Sequence, residues 1–181
     1  MQKFITVLLI GFSLSVSAQV TITSSDMPAA NDTIRWSNTF DQWGIDATET
    51  GANYFWDFGF LTANSQTLDT CFAVTTTPFP YQFFFNNQLL YPAHKATYAM
   101  RGADFDLFGI FSMTEVFNYY KVNSGEFANV GFGANINGIP ASIRNEPVDS
   151  IYAFPLNYLD SLRSNGNWVM EVPNTFTYGQ S

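Results

Sequence analysis

Three glycines in eight residues, Gly131, Gly133 and Gly138 in the stretch "NVGFGANINGIP", form the first pattern with chemical potential. A phosphate-binding loop sets glycines between a strand and a helix, so that the amides at the helix start face the anion. Here the strand-like run Ile139-Pro140-Ala141-Ser142-Ile143 follows, and no Gly-Lys-Ser/Thr is present. Asn137-Gly138 is instead the favoured pair for a two-residue hairpin turn, because both positions need positive φ. Gly131 and Gly133 fall on the face opposite Phe132, where a missing side chain makes room for a ring, a bulge or a bend. A hairpin with its turn at Asn137 and Gly138 therefore outweighs a nucleotide site.

His94 is the single histidine. Metal sites rarely rest on one imidazole, so none is assigned. A serine triad would have to use His94, yet no Gly-x-Ser-x-Gly elbow accompanies it. The expectation is a surface or half-buried histidine. Asp104 and Asp106 in "GADFDLFG" could open a calcium loop closing near Glu115. The intervening "LFGIFSM" is too apolar to supply oxygen ligands, so a turn with two solvated acids is the better reading. Sugar hydrolysis would need two carboxylates at a fixed separation. Asp57, Asp69, Glu115, Glu126 and Asp149 are the candidates, with Trp43, Trp56 and Trp168 as cleft walls. Aromatic side chains are more often core than platform, however. No catalytic, cofactor or metal residue is assigned, and the balance leans against an enzyme.

The elements that would position such groups read as β-structure. Charged residues make up 12% of the chain and aromatics 18%, the reverse of a disordered composition. Aromatics pack across strands, while Asn, Gly and Ser make turns. Val20 and Ile22, then Ile34 and Trp36, alternate around a turn at Pro28 to Asp32. "SQTLDTCFAVTTT", "KATYAMRG", "TEVFNYYKV", "FANVGFGANI", "IPASIRN" and "NWVMEV" read as further strands, and Pro147 as a break. Val116, Tyr120 and Val122 share one face; Val130, Phe132, Ala134 and Ile136 share another. Tyr81, Phe84, Phe85, Gln88 and Leu89 fall at helical spacing and predict a helix over about Tyr81 to Tyr91. Turn chemistry every ten to fourteen residues indicates antiparallel pairing rather than βαβ units.

The predicted fold is mainly β: an antiparallel curved sheet, half-barrel-like, with about one helix, or alternatively a two-sheet β-sandwich. Phe83, Phe84, Phe85, Val116, Tyr120, Phe132, Ile136, Ile151, Tyr152 and Trp168 are the expected core. Cys71 has no internal disulfide partner and sits in an alternating stretch, which predicts a small buried thiol.

The N-terminus carries a destination. Lys3, the apolar run "FITVLLIGF" and the small-residue exit Val16-Ser17-Ala18 describe a secretory signal peptide over 1–18. The apolar run is short of the roughly 20 residues that a membrane span needs. Cleavage between Ala18 and Gln19 leaves one β-rich domain over 19–181. It also removes Lys3, one cation from a net charge of −8, leaving −9. Such a surface repels nucleic acid and anionic lipid. "NTFTYGQS" stops in strand-like sequence, so the domain is expected to be truncated at its C-terminus.

The "SAQ" junction, "ITSSDMPAANDTIRWS", "TGANYFWDF" and "YKVNSGEFANVGFGANINGIP…DSIYAFPLNY" together resemble the N-terminal region of secreted Bacteroidota proteins. These carry a C-terminal sorting domain for type IX secretion. The resemblance implies export through the periplasm to the outer surface or medium, and it supplies no catalytic residues. In that setting Asp-Ser/Thr-apolar triplets make Thr33, Thr70, Ser150 and Ser161 candidate O-glycosylation sites. The leading functional reading is a non-catalytic exported domain with a binding or adhesion role. Its partner would be an extracellular glycan, a protein or an apolar ligand. The alternatives are a carrier of an apolar ligand in a concave sheet and a carbohydrate-active enzyme.

Overall fold

The computed structural model describes residues 20–40, 45–46, 48–49, 55, 57–172 and 176–180. The signal segment with its Ala18–Gln19 junction, and Trp43, Tyr54 and Trp56, lie outside the described residues.

Nine strands are described: β1 (Thr33–Asn38), β2 (Ser65–Phe72), β3 (Tyr98–Arg101), β4 (Phe105–Leu107), β5 (Phe111–Val122), β6 (Glu126–Ile136), β7 (Ile139–Ala153), β8 (Trp168–Val172) and β9 (Phe176–Gln180). The first seven form one antiparallel sheet in the order β1-β2-β3-β5-β6-β7, with β4 pairing on β5. The sheet does not close into a barrel. β8 and β9 form a separate two-stranded ribbon. The chain is thus mainly β and antiparallel. Among the described residues, no helix is long and apolar enough to cross a membrane.

The β6–β7 hairpin is the longest pairing. Its turn residues Asn137 and Gly138 have φ of 49° and 88°. Asn137 Oδ1 also accepts the Ser112 amide at 2.7 Å, tying the tip to β5. β7 does not stop at Pro147 as expected. The strand runs through it, and the pairing with β6 skips between Gly131↔Arg144 and Asn129↔Asp149. A proline inside that bulge owes no amide to the ladder. The Glu146 amide turns outward to the Asn167 carbonyl at 2.6 Å.

Two apolar clusters hold the faces of the sheet. The first joins Tyr81, Phe85, Ala99, Phe117, Tyr119 and Val130. The second joins Phe111, Val116, Ala134, Ile136, Ile143 and Met170, with Phe132 and Trp168 packed on it. β5 is therefore buried in both phases: Val116 goes to one cluster, and Phe117 and Tyr119 to the other. Gly133 seats the ring of Tyr81, since a Cβ there would lie 2.5 Å from Tyr81 Cγ. Gly131, with φ of 141°, lies beneath Phe85, and a Cβ there would run into the Ile143 carbonyl.

The helical segment is shorter than its periodicity suggests. A 3-10 turn, Phe79–Tyr81, leads into α1, Gln82–Phe85, and the α-helix stops there. Asn86 and Asn87 end it: Asn87 Oδ1 takes the Leu90 amide at 3.0 Å, a local bond that competes with the helical ladder. Within α1, Phe85 is buried while Phe83 is 56% exposed and leaves the expected core. Ile151 and Tyr152 also sit at the surface, at the end of β7, where the described chain does not cover them. The N-terminal stretch makes one bridge, Ile22 to Leu156, in place of a first strand. The stretch 24–26 is a 3-10 turn closed by a Thr23–Asp26 capping box.

Cys71 is a free and fully buried thiol. Burial pushes its pKa up, and the carboxylates of Asp32 and Asp69 push it further. His94 is buried rather than half-exposed, because Nε2 bonds the Asn145 carbonyl at 3.0 Å.

Candidate functional site

A concavity lined by both polar and aromatic side chains lies along the outer edge of β7. It is a cleft of about 360 Å³ between α1 and the start of β8. Phe84, Ser142, Arg144 and Glu146 line one side, and Asn167, Trp168 and Val169 the other. Period-two geometry explains the first group. Ser142, Arg144 and Glu146 are alternate residues of one strand and share a face.

Arg144 is held on three sides. Its Cζ lies 4.6 Å from the ring centre of Phe84 and 5.0 Å from that of Tyr91. Those rings meet edge to face, 4.7 Å apart at 81°. Its Nη2 pairs with Glu146 Oε1 at 2.9 Å. The backbone beneath is fixed by Asn145, whose Nδ2 donates to the Asn129 carbonyl and side chain, both at 3.0 Å. His94 bonds the Asn145 carbonyl from the other side. Ser142 Oγ donates to the Pro80 carbonyl at 3.1 Å, which anchors the 3-10 turn above the sheet. Trp168 meets Phe132 edge to face at 5.1 Å and is half-buried. The cleft thus offers a positioned guanidinium, a carboxylate, an amide and an aromatic wall.

The five carboxylates considered for sugar hydrolysis are not among the lining residues. Asp69 Oδ2 accepts Trp36 Nε1 at 2.8 Å, and Asp57 Oδ1 accepts the Gly59 amide at 2.8 Å. Glu115 sits exposed at a β5 irregularity with φ of 53°. Asp149 packs against Gly166. Glu126 accepts from Lys121 Nζ at 3.2 Å and from Ser150 Oγ at 3.0 Å. Burial alone would raise the Glu126 pKa, but the bonds from Lys121 and Ser150 and the Lys121 charge outweigh it and hold the carboxyl below its usual range. Asp104 pairs with Arg101 at 3.7 Å, and Asp106 Oδ1 accepts the Gly109 amide at 3.0 Å, both turn-closing roles. No group of three or more His, Cys, Asp or Glu able to hold a metal ion occurs among the described residues.

Arg144 and Glu146 escape a search for pairs of acids, since they are a cation and an acid. The readable signal was "RNE" in a strand, where the outer two residues share a face. Of the candidate glycosylation sites, Thr33 and Ser161 are exposed. Thr70 is half-buried and stands opposite Thr33 across β1–β2. Ser150 is half-buried, with its hydroxyl on Glu126.

A larger, shallower and more apolar groove of about 690 Å³ lies on the solvent side of α1, against Phe79, Phe83 and Leu89. Across β3, β5, β6 and β7, Tyr98, Tyr120, Phe127 and Tyr152 form a ladder of rings with centres 5.4, 5.6 and 6.0 Å apart. No family model, curated protein or solved structure matches the chain.

Proposed function

We propose that this chain is a non-catalytic, exported binding domain of a secreted or cell-surface protein. One observation carries the non-catalytic part: among the described residues the β7-edge cleft has one lining carboxylate, Glu146, and Arg144 neutralises it at 2.9 Å. Two-carboxylate hydrolysis needs a second acid across the substrate. A positioned but charge-paired site is suited to holding a ligand. The carrier reading is less well supported. The rings of Tyr81 and Phe85 fill the space over Gly133 and Gly131, and the larger apolar groove lies outside α1. Export rests on the N-terminal signal pattern and on the resemblance to sorted Bacteroidota proteins.

The test is turnover by the purified chain on a panel of p-nitrophenyl glycosides. No release above the buffer rate is expected. Release that Glu146→Gln abolishes would overturn the non-catalytic reading. Export is checked separately, by N-terminal sequencing of the chain from a fractionated Gram-negative host. A start at Gln19 in the exported fraction is expected, and an intact Met1 in the cytosol would sink that part.

A further inference from the structure

We infer that the cleft at the β7 edge recognises a neutral, polyhydroxylated ligand, a glycan, whose neighbouring hydroxyls bridge Arg144 and Glu146. This rests on the reading of the chain as a binding domain, and it names the ligand class.

The argument is one of matching donors and acceptors. Glu146 holds one edge of the Arg144 guanidinium at 2.9 Å, and the side chain of Glu146 remains 57% exposed. A guanidinium carries five N–H donors and no acceptor, while a carboxylate only accepts. The Arg144–Glu146 pair therefore presents donors and acceptors side by side. A hydroxyl both donates and accepts, so two adjacent hydroxyls satisfy both halves at once. An apolar ligand would strip water from both charges without replacing it. An anionic ligand would have to displace Glu146 and approach a chain of net charge −8. A cation would meet Arg144.

The walls fit the same class. Asn167 adds an amide, which both donates and accepts. Trp168 supplies an aromatic surface for the C–H face of a sugar ring, held at an angle by Phe132. Phe84 and Tyr91 fix the guanidinium plane in advance, so little side-chain freedom is lost on binding. A volume of about 360 Å³ is at the small end for ligand sites, which suits a short saccharide rather than a folded partner.

The experiment uses the purified chain with cellotriose, maltotriose, xylotriose, mannotriose and N-acetylchitotriose, followed by NMR of Arg144 Nε–H and the tryptophan indole N–H groups. At least one triose should shift the Arg144 signal saturably, and Glu146→Gln should weaken that binding at least tenfold. Glu146 is exposed, so this variant is expected to fold, and an unchanged melting temperature verifies it. Arg144→Lys is the second variant. It keeps the charge, loses the planar fork, and should also lose at least tenfold. If no triose shifts the signal, or if binding is unchanged in Glu146→Gln, the inference is overturned. The two readings fail differently. Capture of an extracellular protein with no saccharide response would overturn the glycan assignment and leave a binding domain. Cleavage of a bound triose would leave the glycan site and overturn the non-catalytic reading.

Discussion

The ring of Tyr81 occupies the space where Gly133 has no side chain: a Cβ at 133 would lie 2.5 Å from Tyr81 Cγ and 2.7 Å from Cδ2. This contact lets the 3-10 turn lie flat on β6 and brings Phe84, three residues on, to Arg144. Gly133→Ala should therefore destabilise the fold by about 1–3 kcal/mol through overpacking. Urea unfolding is the measurement. Gly125→Ala is the control, because a Cβ there makes only an ordinary contact, 3.4 Å from Asn123 Oδ1. Equal midpoints for Gly133→Ala and the parent chain would show that the ring is not seated there.

Beneath the same segment, the Tyr119 hydroxyl donates to Thr77 Oγ1 at 2.8 Å, and Thr77 Oγ1 donates to the Val74 carbonyl at 2.7 Å. Both side chains are buried. Thr77→Val removes the acceptor and strands the Tyr119 hydroxyl, at a cost of about 1–3 kcal/mol. Adding Tyr119→Phe removes the stranded group and should recover part of the loss. A double variant no more stable than Thr77→Val alone would contradict this account.

Burial pushes the Tyr119 pKa up to about 12. Burial also raises Tyr81, Tyr98 and Tyr120. An unfolded tyrosine ionises near pH 10, so the folded chain binds the extra protons above that point. The stabilisation is complete below about pH 10 and is lost as pH rises towards about 12. Thermal unfolding across that window should show a falling midpoint. The drop should be smaller in Tyr119→Phe, and an equal drop would remove Tyr119 as a cause.

The sequence made the sheet legible because its strands alternate and its turns carry Asn and Gly. Segment length was harder to read. Tyr81 to Leu89 has helical spacing, yet spacing does not register that the Asn87 side chain takes the Leu90 amide just past the first turn. Pro147 read as a break because a proline cannot join a ladder. A bulge removes that objection, and only the pairing with β6 reveals it. The cleft was the least legible feature. Arg144 becomes a site through Phe84 and Tyr91, about fifty to sixty positions away, and such contacts leave no local pattern. Ile151 and Tyr152 looked like core because apolar type was visible, whereas the end of the sheet was not.

Glu126 offers an acid-side counterpart to the buried tyrosines. Lys121, Ser150 and Asn123 all donate to its carboxylate, at 3.2, 3.0 and 3.4 Å, and together they outweigh the effect of burial and lower its pKa. A lowered folded pKa means that the unfolded chain takes up the proton first as pH falls. The stabilisation is therefore complete above the unfolded value of about 4.3 and is lost as pH drops through the folded value. Glu126→Gln keeps an acceptor for Ser150 but loses the charge. The variant should be less stable than the parent at pH 7, by an amount that shrinks between about pH 5 and pH 3. Urea midpoints at several pH values measure that gap. A gap that stays constant across the window would mean that the Glu126 charge does not stabilise the β5–β6 hairpin.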